Sequence, residues 1–135
     1  MHPETPHRAG RFRWASAALL AVGIAAGIYH ADLLKAAVTS NPFSGSPESI
    51  SRGGALWKQD CEACHGANGR GDGPVTASLR KHPKDLTRIA LAPVFPDGVV
   101  AYRIANGGEV MPAWKSVLSS GDIWDLVSFI RAQRR

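Results

Sequence analysis

The sequence predicts an all-α fold, a small helical domain over residues 49–135 behind a single N-terminal transmembrane helix. Three observations predict it. Apolar residues recur at the spacing of one helix face in the C-terminal part. No strand-like alternation competes with them. An uncharged apolar run near the N-terminus follows a group of arginines, and a stretch rich in Ser, Pro, Gly and Asn separates it from the rest. A chain of 135 residues has room for one domain. A domain this small sits near the size at which an apolar core alone is marginal.

In chain order, residues 1–13 read as a basic cytoplasmic tail, 14–38 as the anchor helix, 39–48 as a linker and 49–135 as the domain. The run from Trp14 to Tyr29 carries no charge. As a helix rising ~1.5 Å per residue it falls short of a ~30 Å hydrocarbon core. The pattern extends through Ala31, Leu33 and Leu34 towards Val38 if Asp32 and Lys35 lie at the far interface. Trp14 and Tyr29 then take interfacial positions, and Arg8, Arg11 and Arg13 keep the N-terminal end in the cytoplasm, with the domain on the periplasmic side. A cleaved signal peptide is the rival reading, with Gly23-Ile24-Ala25 or Ala25-Ala26-Gly27 as its cleavage site. Neither is a clean A-x-A placed after the apolar run, and the helical pattern continues past both. Gly23 and Gly27 also make a G-x-x-x-G, a spacing that lets a partner membrane helix approach closely, although Gly and Ala are common in any apolar span. Thr39 to Pro47 reads as a short tether.

Within the domain, the first helix runs from about Ser49 into Cys61, with Ile50, Gly53, Trp57 and Cys61 on one face. A middle helix spans about Asp97 to Asn106, with Asp97 as N-cap and Gly107 as its stop. The last begins near Ser119, where Ser119 and Asp122 make a capping-box-like pair. Ile123, Leu126, Val127 and Ile130 form its buried stripe, with Phe129 on the edge. Arg131, Arg134 and Arg135 complement the dipole of that helix. The segment from Arg80 to Pro96 carries no readable shape.

The chemistry lies in Cys61-Glu62-Ala63-Cys64-His65. Two thiols on one turn of chain can each form a thioether to a haem vinyl group, and His65 then lies under the iron as proximal ligand. The expected cofactor is one haem c, covalent through Cys61 and Cys64, structural as well as functional in so small a domain. Cys61 and Cys64 are the only two cysteines, so no further thiol remains for a zinc ribbon or an iron–sulfur cluster. A thioredoxin-type pair would need a strand before the motif and a βαβ pattern around it, and the sequence has neither.

The sixth iron position decides function. Met111 is the one methionine besides Met1, in Asn106-Gly107-Gly108-Glu109-Val110-Met111-Pro112. A thioether beside glycines and a proline suits a loop that passes close to a haem face, better than it suits a core gap-filler. His82 competes, but Arg80, Lys81 and Lys84 around it mark a solvated surface. His2, His7 and His30 fall in the tail and the anchor. His65 also needs its second ring nitrogen held. The carbonyl of Pro74, at the close of Gly69-Arg70-Gly71-Asp72-Gly73, is the candidate acceptor, with turn formation as its plainer role.

With these pieces assembled, the chain resembles a membrane-anchored class I mono-haem cytochrome c from about Ile50 to Ala132. The likeness rests on Gly53-x-x-x-Trp57-x-x-x-Cys61, Cys61-x-x-Cys64-His65-Gly66, Gly71-Asp72-Gly73-Pro74, Asn106-Gly107-Gly108 with Met111-Pro112, and Asp125 to Ile130. The resemblance implies that Gly53 and Phe129 mark the crossing of the first and last helices. It also implies that the Pro74 carbonyl orients the haem histidine and that Met111 is the distal ligand.

Met/His ligation leaves no open site, which favours one-electron transfer over oxygen or peroxide chemistry. The expected protein is an electron carrier, not an enzyme, either free or fixed as a subunit of a respiratory or photosynthetic complex. Its partners would be redox proteins: a quinol-oxidising complex, a dehydrogenase, an oxidase or a reaction centre. The alternative, a haem enzyme or gas sensor with a displaceable Met111, lacks a distal acid–base pair. The net charge of +5 allows Lys58, Arg70, Arg80 and Lys81 to steer an acidic partner. It does not make a nucleic-acid binder, for which no motif is present.

Overall fold

The computed structural model describes residues 8–91 and 95–133, with side chains placed at these positions except 8–16, 29 and 89–91. The aromatics Trp14 and Tyr29, residues 1–7, Pro93, Arg134 and Arg135 therefore lie outside the described residues or side chains. Among the described residues six α-helices follow in order: α1 (Arg8–Val38), α2 (Pro47–Leu56), α3 (Glu62–His65), α4 (Leu86–Leu91), α5 (Asp97–Asn106) and α6 (Ser120–Ala132). A wide π-turn, Trp57–Cys61, joins α2 to α3, and a single 3₁₀ turn covers Thr76–Ser78. Among the described residues there is no strand, as expected.

The chain divides into two units, Met1–Leu34 and Lys35–Arg135. The described residues of the first are helix alone. Leu19, Leu20, Val22, Ile24, Ile28 and Leu34 are all exposed, and Gly23 and Gly27 face open space. The segment Ala17–Val38, 22 residues, is long and apolar enough to cross a membrane. The helix begins at Arg8, inside the stretch expected to be a tail. Its end also differs from the expected anchor boundary, because the last turn from Lys35 belongs to the second unit. There Ala36 is buried, and Gly98 N donates to Thr39 O at 3.1 Å.

Residues 39–46 are mostly exposed, yet they are fastened to the domain at Asn41. Asn41 is 7% exposed and donates to Trp124 O (3.3 Å) and Ser128 Oγ (2.8 Å) on α6. Ser46 caps α2 through Ser49 N (3.2 Å), with Pro47 at the first helical position, so α2 starts ahead of the expected Ser49.

The core is built where α2 crosses α6 and α5 leans on α6. Trp57, Ala101, Ile104, Leu118, Ile123, Leu126, Val127 and Ile130 form one buried cluster, which contains the whole stripe expected on α6. Phe129 lies at its edge, with its ring 5.6 Å from that of Trp57. At the crossing, a Cβ on Gly53 would stand 2.1 Å from Asp125 O and 2.9 Å from Phe129 Cβ. The two helices thus touch through the missing side chain, as the resemblance implied. Ser119 and Asp122 make the full capping box of α6. α5 ends at Gly107, with φ +71°. Its N-cap is Pro96, however, and Asp97 sits inside the first turn, where it pairs with Arg131 Nε at 2.7 Å. Arg131 also donates to Phe95 O, so it ties α6 to the start of α5 as well as facing its own helix end.

Candidate haem-attachment site

Cys61 closes the π-turn, and Cys64 and His65 lie on α3. The turn is wide because Glu62 N reaches back five residues to Trp57 O, where an unbroken α-helix was expected. It keeps Trp57 buried at 3% exposure and leaves Cys61 packed against the same core cluster.

α3 is one turn long, and its last four carbonyls need partners from outside. The glycine-rich loop supplies all of them. Gly66 N bonds Glu62 O (2.8 Å), Val75 N bonds Ala63 O (3.1 Å), Gly73 N bonds Cys64 O (3.3 Å) and Gly71 N bonds His65 O (2.8 Å). Thr76 Oγ1 donates to both Cys64 O (2.9 Å) and Gly71 O (3.1 Å). A Cβ on Gly73 would stand 2.3 Å from Ala63 O, so only glycine lets the loop lie this close. Sequence reasoning did not single out Thr76, because a threonine after Pro74-Val75 reads as one more turn residue. It also missed the second task of Trp57, whose Nε1 donates to Gly66 O at 3.2 Å and holds the mouth of the loop.

The His65 ring stands 5.7 Å from the Trp57 ring. Burial pushes its pKa down, which keeps the imidazole neutral and able to ligate a metal. Its Nδ1 is buried without a hydrogen-bond partner. The expected bond to the Pro74 carbonyl is therefore not made here, and Pro74 itself is exposed.

Cys61 and Cys64 are free, half-buried thiols. Burial, with help from Asp60 and Cys64, pushes the Cys61 thiol up to about 12. A reactive redox thiol is favoured by the opposite shift, and among the described residues there is no strand for a thioredoxin-type topology. No group of three or more His, Cys, Asp and Glu among the described residues could hold a metal ion. The His65 imidazole is neutral and half-buried, and the thiols of Cys61 and Cys64 precede it on the same stretch of chain. This donor set fits a covalently attached haem whose iron takes the imidazole.

Met111 lies in the turn that follows α5, partly buried against the core cluster. Gly108 N donates to Met111 O (2.9 Å), and Arg103 Nη1 to Gly107 O (3.0 Å). Trp114 N and Lys115 N return to Ile104 O and Ala105 O, so the whole turn is seated on the end of α5. Cys61 and Met111 thus meet one core cluster, and Trp57 joins that cluster to His65. His82 is exposed, as its charged neighbours led one to expect.

A protein-family model described as cytochrome c oxidase, cbb3-type, subunit III matches residues 48–130, more than half of the chain. Among curated proteins, none matches. Among solved structures, the chain resembles a chain of the reducing HAO-like protein complex of Kuenenia stuttgartiensis. The TM-score is 0.61 and the identity 26%, over 70% of this chain and 47% of that one. The present chain therefore spans about half the length of that relative.

Proposed function

The chain belongs to the cytochrome c family described as cytochrome c oxidase, cbb3-type, subunit III, and from that premise we propose the residues and the setting of its electron transfer. One haem c is attached through Cys61 and Cys64, with His65 and Met111 as its iron ligands. When bound, it supplies a one-electron iron couple. The protein holds the group in place. The thiols of Cys61 and Cys64 anchor it covalently, and the neutral His65 imidazole is offered by a turn whose every carbonyl is satisfied. Met111 stands ready on a turn seated on α5. Pro74 is the acceptor we assign to the remaining His65 nitrogen once the ring is engaged. The observation that carries this reading is a neutral, half-buried His65 imidazole that directly follows two free thiols, Cys61 and Cys64, on one turn of chain.

With both axial positions filled, the protein is an electron carrier and not an enzyme. α1 anchors it in the cytoplasmic membrane, with Arg8, Arg11 and Arg13 inside and the haem domain in the periplasm. Gly23 and Gly27 are the face offered to a partner helix. Its redox partners are drawn from quinol-oxidising complexes, dehydrogenases, oxidases or reaction centres. Two observations favour a fixed subunit over a roaming carrier: the segment after α1 is held to the domain at Ala36 and Asn41, and the solved relative is part of a protein complex.

The test is an optical spectrum of the purified protein, oxidised and reduced, with and without carbon monoxide. A low-spin spectrum with a Met–iron charge-transfer band, unchanged by carbon monoxide, is expected. A high-spin iron that binds carbon monoxide replaces the carrier with a haem enzyme or sensor. N-terminal sequencing of the mature protein tests the anchor, and a start near residue 26 removes it.

A further inference from the structure

His65 and Met111 lie on segments remote in sequence, and each segment is held locally by its own bonds. On the His65 side, residues 81–86 rest on the glycine loop. Leu86 N donates to Gly69 O at 2.7 Å, and Pro83 O lies 2.4 Å from where a Cβ on Gly71 would stand. On the Met111 side, the turn from Gly107 is closed by Gly108 N on Met111 O, with Glu109 between them. An ion pair joins the two sides: Lys81 Nζ meets Glu109 Oε2 at 2.5 Å. The two side chains are 58% and 59% exposed, so neither is needed for the core.

We propose that Lys81 and Glu109 are a positioning pair, a latch tying the Met111 turn to the segment seated on the His65 loop, and that it sets how readily Met111 leaves the iron. The proposal rests on Met111 being the sixth ligand. The physical argument is one of local opening. A five-residue turn with two glycines opens more easily than the helices around it, and an ion pair at its tip adds to the closed state without touching the core. Because the pair is exposed and screened, its effect is modest, roughly 1.5- to 5-fold on the opening equilibrium. It is also salt-sensitive.

The experiment is titration of the oxidised, full-length holoprotein with imidazole at fixed pH. Imidazole competes with Met111, and its binding is read from loss of the Met–iron charge-transfer band. Glu109→Gln and Lys81→Gln are each expected to raise the apparent imidazole affinity by roughly 1.5- to 5-fold. The charge swap Lys81→Glu with Glu109→Lys is expected to restore the original value. Raising salt to about 1 M should weaken Met111 retention in the parent chain and leave Glu109→Gln unmoved. Unchanged affinity in both single variants overturns the latch while leaving Met111 as ligand. The same holds for single-variant effects that the swap does not reverse. Absence of the band in the parent chain overturns the ligation, and the latch with it, so the two failures are told apart.

Discussion

Gly53 lies where α2 meets α6 backbone to backbone, with no room for even a methyl group. Gly53→Ala is expected to push the helices apart at a cost of about 1–3 kcal/mol. For a domain of this size that lowers the thermal midpoint by roughly 4–8 °C per kcal/mol; an unchanged calorimetric midpoint contradicts the contact. On the other side of the crossing, Asp125 is 3% exposed and accepts from Arg52 Nε (2.6 Å), Arg52 Nη2 (2.9 Å) and Ser49 Oγ (2.6 Å). Burial pushes its carboxyl up, but these bonds and the Arg52 charge outweigh burial and hold it below the usual carboxylate range. Its folded pKa is thus lower than its unfolded one. The stability it adds is complete above the unfolded value of ~3.9 and is lost as pH falls through the folded value. Asp125→Asn is expected to flatten the loss of stability below about pH 4. Urea midpoints compared in acid and at neutral pH measure this. The role of Gly53 was legible only through the resemblance to a known family. That of Asp125 was not, because an acid between apolar helix positions reads as solvent-facing until Arg52 and Ser49 are placed beside it.

Among the elements, α6 matched its reading most closely, since its stripe and capping box are local patterns. The segment between α1 and α2 matched least. Its composition says tether, yet it is a strap: Asn41 bonds α6, and the carbonyls of Ala36 and Thr39 lie 2.0 and 2.8 Å from where a Cβ on Gly98 would stand. Gly98→Ala is expected to loosen the strap, costing about 1–3 kcal/mol. Limited proteolysis then cuts faster between Val38 and Ser46; an unchanged cutting rate argues that the strap is not held there. Part of this was readable, since Ser46-Pro47 is a helix start, with the serine as cap and the proline at the first helical position. The burial of Asn41 was not, because its partners lie on α6 and no local pattern names them. α4 was also unread, as its six residues, Leu86–Leu91, are too few for a periodicity to stand out.

For the whole molecule, one buried cluster of eight residues among those described is a small core, which a bound haem would enlarge. Cys61→Ser with Cys64→Ser is expected to lose covalent haem, read as no haem stain on a denaturing gel, and to unfold at markedly lower urea than the parent chain. A double variant of parental stability contradicts a structural role for the haem. Order along the chain alone was enough to name the attachment motif, the helix periods and the caps of α6. Thioether spacing, helical period and hydrogen bonds over three or four residues are local, and local chemistry is written consecutively. The strap, the Arg52–Asp125 pair, the wide turn that orients Cys61, the closure of the α3 carbonyls and the Lys81–Glu109 contact were decided only in three dimensions. Each joins groups whose nearness depends on how the helices pack, and packing is a property of the folded chain as a whole.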